Sequence, residues 1–243
     1  MGARKSPRDK SKPSSGAASN AVAQARSGGR RSGWLWIAAG VVVCVAILVV
    51  VIVSVTRSLG THKPETDQAA SLNNPPATTA VGADTSPPWP APKDASAAVR
   101  AAGLPMLGAE GNVEHIHAHL DVLVDGHAVE VPADIGIDRS NGSISPLHTH
   151  DGSGVIHIES PIKRQFSVGE FFTEWGVGLS ADNIGGLRAT DGKAVRVFVN
   201  GTQQRTGNLA AIMFGPHDEI ALVYGVPQPG ETIPTKYDFP AGD

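Results

Sequence analysis

From residue 114 to 124 the chain alternates: Glu114-His115-Ile116-His117-Ala118-His119-Leu120-Asp121-Val122-Leu123-Val124. Such a period of two predicts a strand with one polar and one apolar face. His115, His117 and His119 share the first, Ile116, Ala118, Leu120 and Val122 the second. Asp125-Gly126 supplies a two-residue turn, and His127–Val131 is the returning strand. A second alternating stretch runs from Pro146 to Glu159, broken by Asp151-Gly152-Ser153-Gly154, residues suited to a tight turn. With an even loop His148 pairs with His157, Thr149 with Ile156 and His150 with Val155. His148, His150, His157 and Glu159 then lie on one face, and Leu147, Thr149, Ile156 and Ile158 on the other. An odd loop would slip the register and scatter the apolar set, so the even register is expected.

The remaining elements are short. Lys93–Ala102 fits a helix ended by Gly103 and Pro105. Pro132–Asp138 reads as an irregular extended piece before a loop at Arg139–Ser143. Ser167 followed three residues later by Glu170 is a capping box, opening a helix through Glu174 or Trp175. Ala194–Val199 is a strand, Asn200-Gly201 a hairpin turn and Glu219–Tyr224 a last strand. The expected fold class is α+β: a mainly antiparallel β-sheet built of hairpins with one short helix interrupting it, compatible with a β-grasp-like roll.

Hydrophobicity also divides the chain. Trp34 to Val55 are 22 consecutive residues without a charge, long enough to cross a bilayer as a helix. Eight Lys or Arg and one acid precede this span, which predicts a single-pass signal anchor with a cytoplasmic N-terminus. Residues 1–33 are then a basic disordered tail and 56–92 a Pro/Ala/Thr-rich stalk. Residues 93–235 form an extracytoplasmic domain, and 236–243 a loose tail. The chain beyond the span keeps 12 of the 20 basic and 22 of the 23 acidic residues, a formal charge of −10 with His neutral. That balance argues against nucleic acid as a partner and suits cations. Membrane lipid, through the one helix, is the other partner expected, and no feature names a protein partner. The only cysteine, Cys44, lies in the span, so a metal bound outside must be held by nitrogen and oxygen.

Six of the nine histidines fall in the two alternating stretches. Residues two apart on a strand are about 6.6–7 Å apart at Cα, within reach of one ion bound at about 2.0–2.1 Å from each ring nitrogen. His117, His119, His148 and His150 are the principal candidate ligands. His115 and His157 are further ligands of the same or a second ion, or partners of the ligands. Glu159 and Asp121 are candidates to orient a ring N–H. Asp151 reads as a turn residue, and His62, His127 and His217 as structural or exposed. All-imidazole ligation suits a transition metal, copper or zinc, with copper first in the affinity order for nitrogen sites.

His115–Leu120, Val124–Gly126, Leu147–Glu159 and Phe166–Gly176 together resemble a group of largely uncharacterised extracytoplasmic proteins of actinobacteria and archaea, typically carried behind one membrane anchor. The resemblance spans roughly residues 95–225 and implies a bacterial membrane-anchored domain without a settled activity. Three functions follow as expectations: a non-catalytic copper- or zinc-binding protein, favoured here; a metal-dependent hydrolase or oxidoreductase with an open coordination position; and a metal-free cell-envelope interaction module. Gly-x-Ser-x-Gly, His-Glu-x-x-His and phosphate-loop motifs are absent from the sequence.

Overall fold

A computed structural model of the chain describes residues 71–241. The basic tail, the expected membrane span and most of the expected stalk lie outside the described residues. No helix among the described residues is long and apolar enough to cross a membrane.

The described chain is mostly β-sheet with two short helices, an α+β arrangement. The strands are β1 (Glu114–Val124), β2 (His127–Val129), β3 (Ile137–Asp138), β4 (Ser143–Ile144), β5 (Leu147–His148), β6 (Val155–Ser160), β7 (Leu179–Ser180), β8 (Asn183–Ile184), β9 (Leu187–Arg188), β10 (Ala194–Val199), β11 (Thr202–Gln203) and β12 (Glu219–Gly225). The helices are α1 (Ala95–Ala101), within the segment expected to be helical before the first strand, and α2 (Val168–Trp175), the one that interrupts the strands. The main sheet has the order β11-β10-β12-β1-β6-β5, with β2 also paired to β1. Pairings are antiparallel except at the centre, where β1 runs parallel to β12. The hairpin pattern alone did not predict that parallel pair. It explains why β12 is buried along its whole length, as a strand covered on both faces must be.

Alternation sends Ala118, Leu120, Val122, Ile156, Ile158, Ile220, Leu222, Val195 and Val197 to one face, into the principal core. Helix α2 covers this face with Phe171, Phe172 and Trp175, all fully buried. Each contributes about 1.5–3 kcal/mol by leaving water. The capping box expected at Ser167 and Glu170 is present with both hydrogen bonds made.

Two expected boundaries move. Residues 71–92, assigned to the stalk, belong to the domain. Leu72 and Trp89 are buried, and Trp175 Nε1 donates to the Trp89 carbonyl at 3.0 Å. Ser167 Oγ donates to the Ala77 carbonyl, and Val81 N donates to Thr173 Oγ1. The segment thus satisfies the polar side of α2, a helix buried on every side that could not otherwise hide its hydroxyls and carboxylates. A Cβ on Gly82 would lie 2.4 Å from the backbone of Val177, so this approach needs glycine. The tail at 236–241 is docked rather than loose. Tyr237 stacks on His119 with ring centroids 3.8 Å apart, and Phe239 stacks on His217.

Candidate metal centre

The second face of the main sheet is divided. Phe198, Ala221 and Val223 form a small apolar cluster near β10 and β12. Towards β5 the face becomes histidine. The expected even register is present, with His148 opposite His157 and Leu147 opposite Ile158. Strand β6 pairs on its other side with β1, setting His117 opposite His157 and His115 opposite Glu159. Cross-strand partners share a face, so His148, His157 and His117 form one row across three strands. The two histidine stretches therefore meet. His157 is central, with ring centroids 4.5 Å from His117, 4.5 Å from His150 and 5.3 Å from His148.

The turn and its surroundings hold this geometry. Asp151 Oδ1 accepts from Ser153 N at 2.9 Å, so Asp151 is a turn residue as expected. On the opposite side of β5, Thr149 Oγ1 donates to the Pro132 carbonyl and accepts from Ile135 N. Thr149 is thereby pinned, and His148 and His150 on either side of it are held towards the other face.

His148 is fully buried, and its Nδ1 lies 2.9 Å from the Ser145 carbonyl. A carbonyl only accepts, so Nδ1 carries the hydrogen and Nε2 offers its lone pair. Burial pulls the His148 pKa down to about 3, against the pull of Glu159 and with the help of His150 and His157. Neutral His148 thus presents Nε2 3.2 Å from His150 Nε2. His150 is half-exposed, its Nε2 also 3.6 Å from Glu110. The ligand atoms of His148, His150 and His157 lie within 4.8 Å of one another.

Glu159 is buried beside them. Its Oε1 lies 3.2 Å from His157 Nδ1, 3.5 Å from His115 Nε2 and 3.8 Å from His117 Nε2. Burial pushes its pKa up, but the bond from His157 and the surrounding histidines outweigh that and leave it below the usual value. Glu159 Oε2 is buried without a hydrogen-bond partner.

Chain comparison gives no shortcut to the chemistry. Known family models, curated proteins and solved structures contain no match to this chain. Function is therefore argued from the site itself.

His119, expected among the principal ligands, lies in a separate group with Asp121 and Glu219. Its Nδ1 is 2.7 Å from Glu219 Oε2, and its Nε2 is 2.8 Å from the Ser153 carbonyl. Both partners are acceptors when Glu219 is ionised, so the His119–Glu219 pair is neutral as a unit, sharing one proton beyond a neutral imidazole and a carboxylate. Burial lowers the His119 pKa, yet the bonds to Glu219 and Ser153 with the charges of Glu219 and Asp121 raise it overall. With both nitrogens engaged and Tyr237 over the ring, His119 serves as a structural clamp. Asp121 Oδ2 lies 4.0 Å from His119 Nδ1, beyond hydrogen-bond reach, so Glu219 and not the expected Asp121 orients this ring. His127 stands exposed, His217 is exposed but joined to β1 through its backbone N, which donates to the His117 carbonyl at 2.7 Å, and His62 lies outside the described residues.

Two participants escaped the sequence reading. Glu219 carried a signal, an acid heading an otherwise apolar strand. Glu110 carried none, since only the fold brings its loop beside His150.

Proposed function

We propose that the protein is a membrane-anchored extracytoplasmic transition-metal-binding protein, whose domain holds copper or zinc on His148, His150 and His157. One observation carries the reading: the 3.2 Å separation of His148 Nε2 and His150 Nε2. Two nitrogens bound tetrahedrally at 2.0–2.1 Å stand about 3.3 Å apart, so this pair is spaced for one ion. The donor set agrees with it. The Ser145 carbonyl orients His148, and Glu159 orients His157 through Nδ1, the carboxylate–histidine pattern of metal sites. All-imidazole ligation without thiolate selects copper or zinc over calcium or magnesium. Anchoring by residues 34–55, with lipid as the partner, rests on the 22-residue uncharged span and the basic segment before it. A β-grasp-like assignment of the scaffold rests on the parallel pairing of its first and last long strands beside a helix.

A second reading, a metal-dependent hydrolase or oxidoreductase, draws support from the 42 % exposed side chain of His150, which leaves a coordination position towards solvent. A cleft lined by Glu110, Ile137 and Ile144 adjoins this position through Glu110, whereas those beside α1 (Asp94, Asp138, Asn141) and beside β1 (Glu114, Lys163, Phe214) carry no histidine. The test is metal analysis by mass spectrometry. The full chain in detergent is loaded separately with Zn(II) and Cu(II), then dialysed beside the His148→Ala/His150→Ala double variant. Retained metal that falls by one equivalent in the variant is expected. No retained metal, or equal amounts in both proteins, refutes the reading.

A further inference from the structure

We infer that the domain holds a second metal ion beside the first, on His115, His117 and Glu159. The inference rests on the metal-binding reading above and extends it from one ion to two. These three residues form their own group, with ligand atoms within 4.8 Å of one another, and share no histidine with the first triad.

The spacings suit an ion better than they suit hydrogen bonds. His115 Nε2 and His117 Nε2 stand 3.5 and 3.8 Å from Glu159 Oε1. Those values exceed the 2.7–3.2 Å of ordinary N–H···O bonds and approach the edge of about 3.3 Å between ligands on one tetrahedral ion. Glu159 supplies the independent observation. It is 4 % exposed, and its Oε2 has no hydrogen-bond partner. The buried carboxylate thus keeps an acceptor oxygen beyond the bond it takes from His157, capacity that a bound cation would use. His115, with its side chain 52 % exposed, leaves the ion a path from solvent and an open position on it.

The two sites differ in chemistry. The first offers three imidazoles, the second two imidazoles and a carboxylate, a set suited to a divalent first-row cation such as Zn(II). Glu159 joins them. It accepts from His157 Nδ1 at 3.2 Å, orienting a ligand of the first ion, while lying among the ligands of the second. His117 and His157, one from each site, are ring neighbours at 4.5 Å. Occupation of one site therefore alters the other.

The experiment counts ions. The full chain in detergent, stripped with a chelator, is titrated with Zn(II) against a competing indicator, and bound zinc is measured by mass spectrometry. The variants are His115→Ala, which removes a half-exposed side chain, and His150→Ala. Thermal melts of the metal-free proteins verify that both variants fold. Two equivalents are expected in the wild type and one in each variant, the missing site weakened more than tenfold. Loaded with Cu(II), the wild type should give a dipolar-broadened electron paramagnetic resonance spectrum that sharpens in His115→Ala. One equivalent in the wild type, unchanged by His115→Ala and lost in His150→Ala, overturns the second ion and leaves the first standing. Two equivalents that survive His115→Ala overturn the assignment of ligands. No bound zinc at all overturns both readings.

Discussion

Replacing Glu174 by Gln should make the domain more stable as pH rises. Glu174 on α2 is fully buried, its Oε1 accepting from Ser145 Oγ at 2.5 Å and its Oε2 without a partner. Burial drives its carboxyl well above the usual carboxylate range. The Ser145 bond works against that shift, and the nearby Glu170 charge adds to it. The folded state therefore keeps a proton that the unfolded chain releases near pH 4.3. Because the native form binds more protons, its stability falls with rising pH from that point until the folded pKa is passed. The slope is about 1.4 kcal/mol per pH unit, or roughly 3–6 °C in melting temperature for a domain of this size. Gln keeps an oxygen for Ser145 and cannot ionise, so this contribution vanishes in the variant. Melting temperatures of chelator-treated wild type and Glu174→Gln, measured from pH 4.5 upwards, should diverge in favour of the variant. The histidines titrate in both proteins and cancel in the difference. Parallel profiles would refute the reasoning and place an ionised carboxylate, with its counter-charge, in the core.

Three further outcomes follow from the same geometry. Ser145→Ala removes the hydroxyl that joins Glu174 to the turn whose carbonyl orients His148. It should cost about 1–3 kcal/mol in denaturant melts and weaken zinc binding about 10–100-fold in competition titrations; unchanged affinity would separate the turn from the site. His119→Gln breaks the buried pair with Glu219 and should destabilise by about 3–5 kcal/mol while leaving metal stoichiometry intact, whereas loss of an equivalent would return His119 to the ligands. Tyr237→Ala, which removes the stacking on His119, should cost about 0.5–1.5 kcal/mol in the same melts, and no change would show that the tail does not stabilise the clamp.

Much of the site was legible in the chain because strand alternation is local. A period of two assigns His115, His117 and His119 to one face, and His148, His150, His157 and Glu159 to another, without knowledge of the partners. The Asp-Gly-Ser-Gly turn set the hairpin register correctly, because an odd loop would have exposed Leu147 and Ile158. The Ser167–Glu170 cap, the Asp125-Gly126 and Asn200-Gly201 turns and the absence of thiols outside Cys44 were equally local. Burial of residues 71–92 was hidden because Pro- and Ala-rich composition describes the segment and not the helix that needs its carbonyls.

Tertiary structure alone decided which histidines work together. His119 has the same alternation and chemistry as His117, and the sequence offers no reason to part them. They separate because β12 pairs with β1 in parallel from His119 onwards, bringing Glu219 from a hundred residues away to within 2.7 Å. Strand β6 flanks both, but sets His157 opposite His117 and Val155 opposite His119, which makes His157 central where the sequence left it secondary. Side-chain facing follows from the geometry of one strand; shared sites follow from the order of strands in the sheet, which long-range core packing sets.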